Sequence, residues 1–174
     1  MTARTRIRAK TDETRPHPEG QADTATSRAT VSKRLPALLH RIAGVLVEAT
    51  APYFRTLGIS IPAARVLVTL LEGGGTMTVG GLSGTTSIDL STTSHILRRL
   101  EAQAYLTRQR QEDDNRVVCA VLTAAGRRVA EKSRNASLRH EAALVGEMSA
   151  QQIALFKNML EDAYENARKN LKPE

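Results

Sequence analysis

The 174-residue chain is 41% apolar, 25% charged and 3% aromatic, proportions that suit one globular domain with an appended polar tail and exclude collagen-like and disulfide-framework classes. Its single cysteine, Cys119, rules out an internal disulfide and cannot alone build a thiolate metal cage, so neither metal nor other cofactor is expected. The net charge of +7 is concentrated: residues 1–34 carry eight Lys/Arg against four acids and residues 78–139 ten against six, whereas residues 140–174 carry four against six. Charge so placed points to a polyanionic partner, with a basic surface kept for solubility as the other reading.

No stretch reaches the roughly 18 uninterrupted apolar residues of a spanning helix, and no apolar run follows the basic start. The expectation is a cytoplasmic, nucleoid-associated protein with no membrane contact. Residues 1–32 are nearly devoid of large apolar side chains and rich in Thr, Arg and Pro, a composition too poor in burial to offset ordering entropy. They read as a disordered basic N-terminal tail. From Leu35 the pattern changes, and Leu35, Leu38, Leu39, Ile42, Val45, Leu46 and Ala49 recur at steps of three and four. This predicts a helix to about Arg55, kinked or ended by Pro52, which lacks an amide donor. Gly58 suits its stop, Ser60 a cap, and Ala64 to Leu71 a second helix before the run Gly73-Gly74-Gly75.

Thr78 to Ser87 reads as a third helix in which Gly80, Gly81 and Gly84 each cost about 1 kcal/mol relative to alanine, so packing must hold it. Ser91 is the expected N-cap of a fourth, Thr92 to Ala104, burying Ile96, Leu97 and Leu100 and showing Thr92, Thr93, His95, Arg98 and Arg99 outward. Tyr105 to Arg110 and Val117 to Leu122 alternate like strands around the polar turn Glu112-Asp113-Asp114-Asn115-Arg116, making a hairpin. Thr123 caps a helix to about Glu147. Ser149 with Gln152 forms a capping box for a last one, on which Ile153, Phe156, Met159, Leu160 and Tyr164 recur at helical spacing.

Helix, turn, helix with a cationic outer face, then hairpin, is the arrangement of a winged helix-turn-helix. The major groove of DNA admits one α-helix, whose first turn brings small hydroxyl side chains and amides to phosphates and base edges. Ser91, Thr92, Thr93 and Ser94 sit in that turn, and His95 and Arg98 one turn on. Arg99, Arg108 and Arg110 are phosphate candidates, and Arg116 at the wing tip would probe the minor groove, with Asp114 holding its guanidinium in place. The competing reading of Arg98 and Arg99 is a solvated face shared with Glu101.

The run Leu100-Glu101, Tyr105-Leu106-Thr107-Arg108, Asp114-Asn115-Arg116 and Leu122-Thr123 with Gly126 resembles the MarR family of bacterial regulators. Two positions depart from that pattern: Ala104 replaces a usual glycine and Asn115 a common second wing arginine. The resemblance implies a mainly α fold with a small β-hairpin wing, residues 61–123 forming the winged helix-turn-helix and residues 33–60 and 124–174 an intertwined helical dimerisation region. Ile42, Val45, Leu46, Phe156, Leu160 and Tyr164 would meet the second subunit. It further implies an inverted-repeat double-stranded DNA operator and a small aromatic or phenolic anion as effector, near His40, Arg41, Tyr53 and Arg65. Packing is the alternative role for each of those four, and for the strand residue Cys119. His140-Glu141 lacks zincin spacing, the glycine runs lack a P-loop lysine, and no enzyme is expected. A ligand-responsive repressor is the leading reading; a nonspecific architectural DNA binder and a helical protein-interaction module are the others.

Overall fold

The computed structural model describes residues 33–110 and 117–171; the expected tail and the wing tip with Asp114, Asn115 and Arg116 lie outside the described residues. Among those described, six helices and three strands follow in the order α1 (Leu35–Thr56), α2 (Ile61–Glu72), β1 (Thr76–Thr78), α3 (Val79–Thr86), α4 (Leu90–Ala102), β2 (Leu106–Arg110), β3 (Val118–Leu122), α5 (Ala124–Val145) and α6 (Ala150–Asn170). Two compact units divide at Gly44, inside α1. In the first, residues 35–44 present Leu35, Leu38 and Leu39 to solvent.

The second unit holds the core. Pro52 does not end α1, which continues to Thr56. The lost amide bond costs a helix interior about 3 kcal/mol, and two residues later the burial of Phe54, worth about 1.5–3 kcal/mol, offsets it. Ser60 caps α2 as expected, its Oγ accepting from the Ala63 amide at 3.3 Å. Leu67 and Leu70 of α2, Leu82 of α3, Leu97 and Leu100 of α4 and Leu106 of β2 are all within 1% of complete burial. The α5 helix packs on α2 through Ala130, Ser133 and Ala136, side chains small enough to let two helices approach closely. Ser133, fully buried, donates its hydroxyl to Val129 O at 2.9 Å and leaves no orphan donor.

The expected hairpin is a three-stranded antiparallel sheet, β1-β3-β2. Thr76 pairs with Val121 and Thr78 with Cys119, while Leu106 pairs with Leu122 and Arg110 with Val118. Strand β1 spans three residues, too few to show alternation, and its last residue is also a helix cap: Thr78 Oγ1 accepts from the Gly81 amide at 3.0 Å. Cys119 is buried in β3. Thr123 caps α5, and Ser149 and Gln152 make the capping box of α6 reciprocally. No residue of α6 is buried.

Candidate nucleic-acid interface

The α4 helix starts two residues before the expected position. Its cap is Asp89, whose Oδ1 accepts from the Thr92 amide at 2.8 Å, and Ser91 falls inside the helix with its side chain exposed. Hydrogen bonding from the Thr92 side chain, and then from its amide, holds the Asp89 carboxyl below its ordinary value. A sequence with two good caps in three residues, Asp89 and Ser91, leaves the choice to tertiary contacts. Here Ser87 in the left-handed region (φ 54°) turns the chain from α3 into Asp89.

One correction concerns which way this helix faces. Thr93, expected on the outer face, is completely buried, and its Oγ1 donates to Ile88 O at 3.2 Å. It lies on the inward stripe with Ile96, Leu97 and Leu100. Ser91, Thr92, His95, Arg98 and Arg99 are exposed, as expected, and Ser94 is half-buried with its hydroxyl donated to Leu90 O at 2.8 Å. Arg98 Nη2 lies 3.1 Å from His95 Nδ1, so these two side chains form one unit on the outer face.

Arg108 is a second correction. Its guanidinium meets Glu101 Oε2 at 2.6 Å from Nη2 and 2.7 Å from Nε, and its backbone amide donates to Oε1 at 3.1 Å. The guanidinium expected on phosphate is already engaged, and the solvated face read for Arg98 and Arg99 with Glu101 does not form, because Glu101 serves β2. The Arg108 hydrogen bond also lowers the Glu101 carboxyl from its ordinary value. Arg110, at the end of β2, is exposed.

The four effector candidates are divided between the two units. His40 and Arg41 are exposed in the first unit. Tyr53 is half-buried, tilted against Phe54 and covered by Arg139, whose Cζ is 5.8 Å from the ring centroid. Arg65 donates from Nη2 to Thr86 O at 2.5 Å, closing the C-terminus of α3. Of the subunit-contact candidates in the second unit, Val45, Leu160 and Tyr164 are exposed and Leu46 and Phe156 half-buried. Leu46, Phe156 and Leu160 line a largely apolar cavity of about 310 Å³ with Leu144 and Val145. The Tyr164 hydroxyl lies 2.5 Å from Ser87 Oγ, joining α6 to the turn between α3 and α4. Among the described residues no group of three or more His, Cys, Asp or Glu converges on a point, and no single helix is long and apolar enough to cross a membrane.

The MarR family sequence model matches residues 57–116, a segment that starts just after α1 and ends before β3. Over those residues the chain is similar to the MarR family. Solved structures agree over a longer span. A mutant MarR from E. coli complexed with operator DNA aligns with a TM-score of 0.64 at 22% identity, over 74% of this chain and 92% of that one. AbsC, a MarR family transcriptional regulator from Streptomyces coelicolor, aligns at 0.67 and 19% identity over 90% of this chain and all of its own. BpsR from Bordetella bronchiseptica, whose DNA binding is regulated by 6-hydroxynicotinic acid, aligns at 0.63 and 20% over 75% and 98%. At such identities the likeness is one of fold. No curated protein sequence matches.

The departure at position 104 has a visible cost. Ala104 sits at φ 58°, the left-handed region that favours the usual glycine. Its carbonyl accepts from Thr123 Oγ1 at 2.7 Å, and Tyr105, next along, donates its amide to Leu100 O and accepts from the Thr123 amide. These bonds hold the strained residue in place. Gly126, just beyond, packs so tightly that an added Cβ would stand 1.7 Å from Tyr105 O.

Proposed function

We propose that the protein is a homodimeric, sequence-specific DNA-binding transcriptional regulator, a repressor released by a small aromatic or phenolic anion. The observation that carries the reading is the outer face of α4. Ser91, Thr92, His95, Arg98 and Arg99 are solvent-facing on a helix whose opposite side is sealed by Thr93, Ile96, Leu97 and Leu100. A rigid helix presenting hydroxyls, imidazole and guanidinium has the donors and acceptors that the major groove reads. Arg99 and Arg110 would meet phosphates, Arg116 the minor groove beside Asp114 and Asn115, and the basic tail of residues 1–32 would add nonspecific attraction.

The dimer rests on α6. A 21-residue helix with no buried residue, exposing Leu155, Met159, Leu160 and Tyr164, carries apolar surface that a second copy would cover. Two symmetric heads would read an inverted repeat with half-sites about one helical turn apart. The effector rests on the resemblance to BpsR and its aromatic acid, with His40, Arg41, Tyr53 and Arg65 as the residues to test.

Footprinting on the DNA upstream of the protein's own coding sequence, with and without a panel of aromatic acids, tests all parts. Discrete protection that an aromatic acid abolishes supports the reading. Protection of any duplex regardless of sequence indicates an architectural binder, and no protection at physiological salt a protein-interaction module.

A further inference from the structure

One large apolar side chain of α4 stays exposed at the edge of its sealed face. Leu90, in the first turn, is 56% exposed, and it lies on one stripe with Ser94 and Arg98 at steps of four. With Thr78, Val79, Gly80, Ser94, Val117 and Val118 it lines an open cleft of about 590 Å³ between α4 and the base of the wing. The walls of this cleft are mostly valine and leucine, and its rim carries the Thr78 and Ser94 hydroxyls. Ser94 donates its own proton to Leu90 O, so its lone pairs remain as acceptors. Leu90 stays exposed although it borders both stripes, with Thr93 and Leu97 at steps of three and seven on the sealed side and Ser94 and Arg98 at steps of four and eight on the polar side.

We propose that Leu90 is a specificity-determining residue that reads the 5-methyl group of a thymine in the major groove. This rests on α4 being the DNA-reading helix. Thymine is the one base whose major-groove edge offers a methyl, and an exposed aliphatic side chain at the first turn of a reading helix is the group that recognises it. Neighbouring Ser94, an acceptor, suits the exocyclic amino group of an adjacent adenine or cytosine, and the His95–Arg98 unit suits guanine N7/O6 one turn on. The stripe therefore runs from apolar to cationic along the groove.

The test uses the full chain. Double-stranded sequences are selected from a random library by binding to the wild type, and each thymine of the recovered duplex is replaced singly by deoxyuridine, which removes only the methyl. At one thymine per half-site the wild type should lose about three- to fivefold in affinity, the scale of one buried methyl. Leu90→Ala should lose about as much on the thymine duplex and become indifferent to deoxyuridine there, while Leu90→Met restores the sensitivity. Leu90 is exposed, so the variants should retain the wild-type melting temperature. If the selection enriches a sequence but no thymine couples to Leu90, or Leu90→Ala weakens thymine and deoxyuridine duplexes alike, the assignment to Leu90 is wrong and the DNA-reading role stands. If no sequence is enriched, the reading of α4 fails and this assignment with it.

Discussion

Glu101 grips Arg108 at three points, accepting from two guanidinium nitrogens and from the backbone amide. The pair ties the last turn of α4 to β2. Both side chains are about one-third exposed, so the ion pair itself is worth at most about 1 kcal/mol.

The pairing separates the arginines in a salt titration. Arg99→Ala or Arg110→Ala should reduce the slope of log K against log salt by about 0.9 per subunit, one phosphate contact each. Arg108→Gln should leave the slope unchanged. A slope reduced equally by Arg108→Gln would show that Glu101 releases it on DNA.

Acid should loosen the same region first. The Glu101 and Asp89 carboxyls are both lowered from their ordinary 4.5 and 3.8, Glu101 by Arg108 and Asp89 by its bonds to Thr92. A carboxyl whose folded value is depressed contributes stability that is complete above its unfolded value and lost as pH falls through the folded one. Wild-type stability should therefore decline as pH drops from about 5 toward 3, and the decline should be shallower in Glu101→Gln and in Asp89→Asn, followed by thermal melts across that range.

Gly126→Ala should be severely destabilising. The new Cβ would meet Tyr105 O, a backbone atom between α4 and β2 that cannot swing aside. A cost of about 3 kcal/mol or more is expected from urea unfolding, at the upper end of overpacking effects.

Ala104→Gly should go the other way. Releasing an alanine from φ 58° recovers about 1–2 kcal/mol, and the freer unfolded chain takes back about half, leaving a gain of about 0.5–1 kcal/mol. Equal stability of the two proteins would mean that the Thr123 bond to Ala104 O already cancels the strain.

Charging the bare face of α6 should separate the subunits. Leu155→Glu with Met159→Glu places two carboxylates on surface that is 60% and 61% exposed in the single chain, so the fold of the remaining core should be untouched. Sedimentation should then report a monomer, and specific DNA binding should weaken more than 100-fold as two half-sites cease to act together.

Much of this arrangement was readable from side-chain order. The caps at Ser60, Thr123 and Ser149, the inward Ile96, Leu97 and Leu100, and the outward His95, Arg98 and Arg99 follow from spacing alone. What was hidden depended on tertiary choice. Asp89 and Ser91 compete as caps, and tertiary contacts select Asp89. Strand β1 is invisible at three residues because its reason to exist is the partner β3. Arg108 looked free since Glu101 is seven residues away in sequence, and only the reversal from α4 into β2 brings them together. The left-handed Ala104 that makes that reversal had one sequence signal, a glycine missing from the family pattern.

Thr78 belongs to two elements at once, its backbone to the β1–β3 ladder opposite Cys119 and its hydroxyl to the first turn of α3. The wing and the supporting helix therefore share a hinge pin. Peeling β1 from the sheet would uncap α3 at the same moment, so the sheet edge and the glycine-rich helix behind α4 are expected to fray as one cooperative element, with amide exchange at Met77 and Gly81 rising in step.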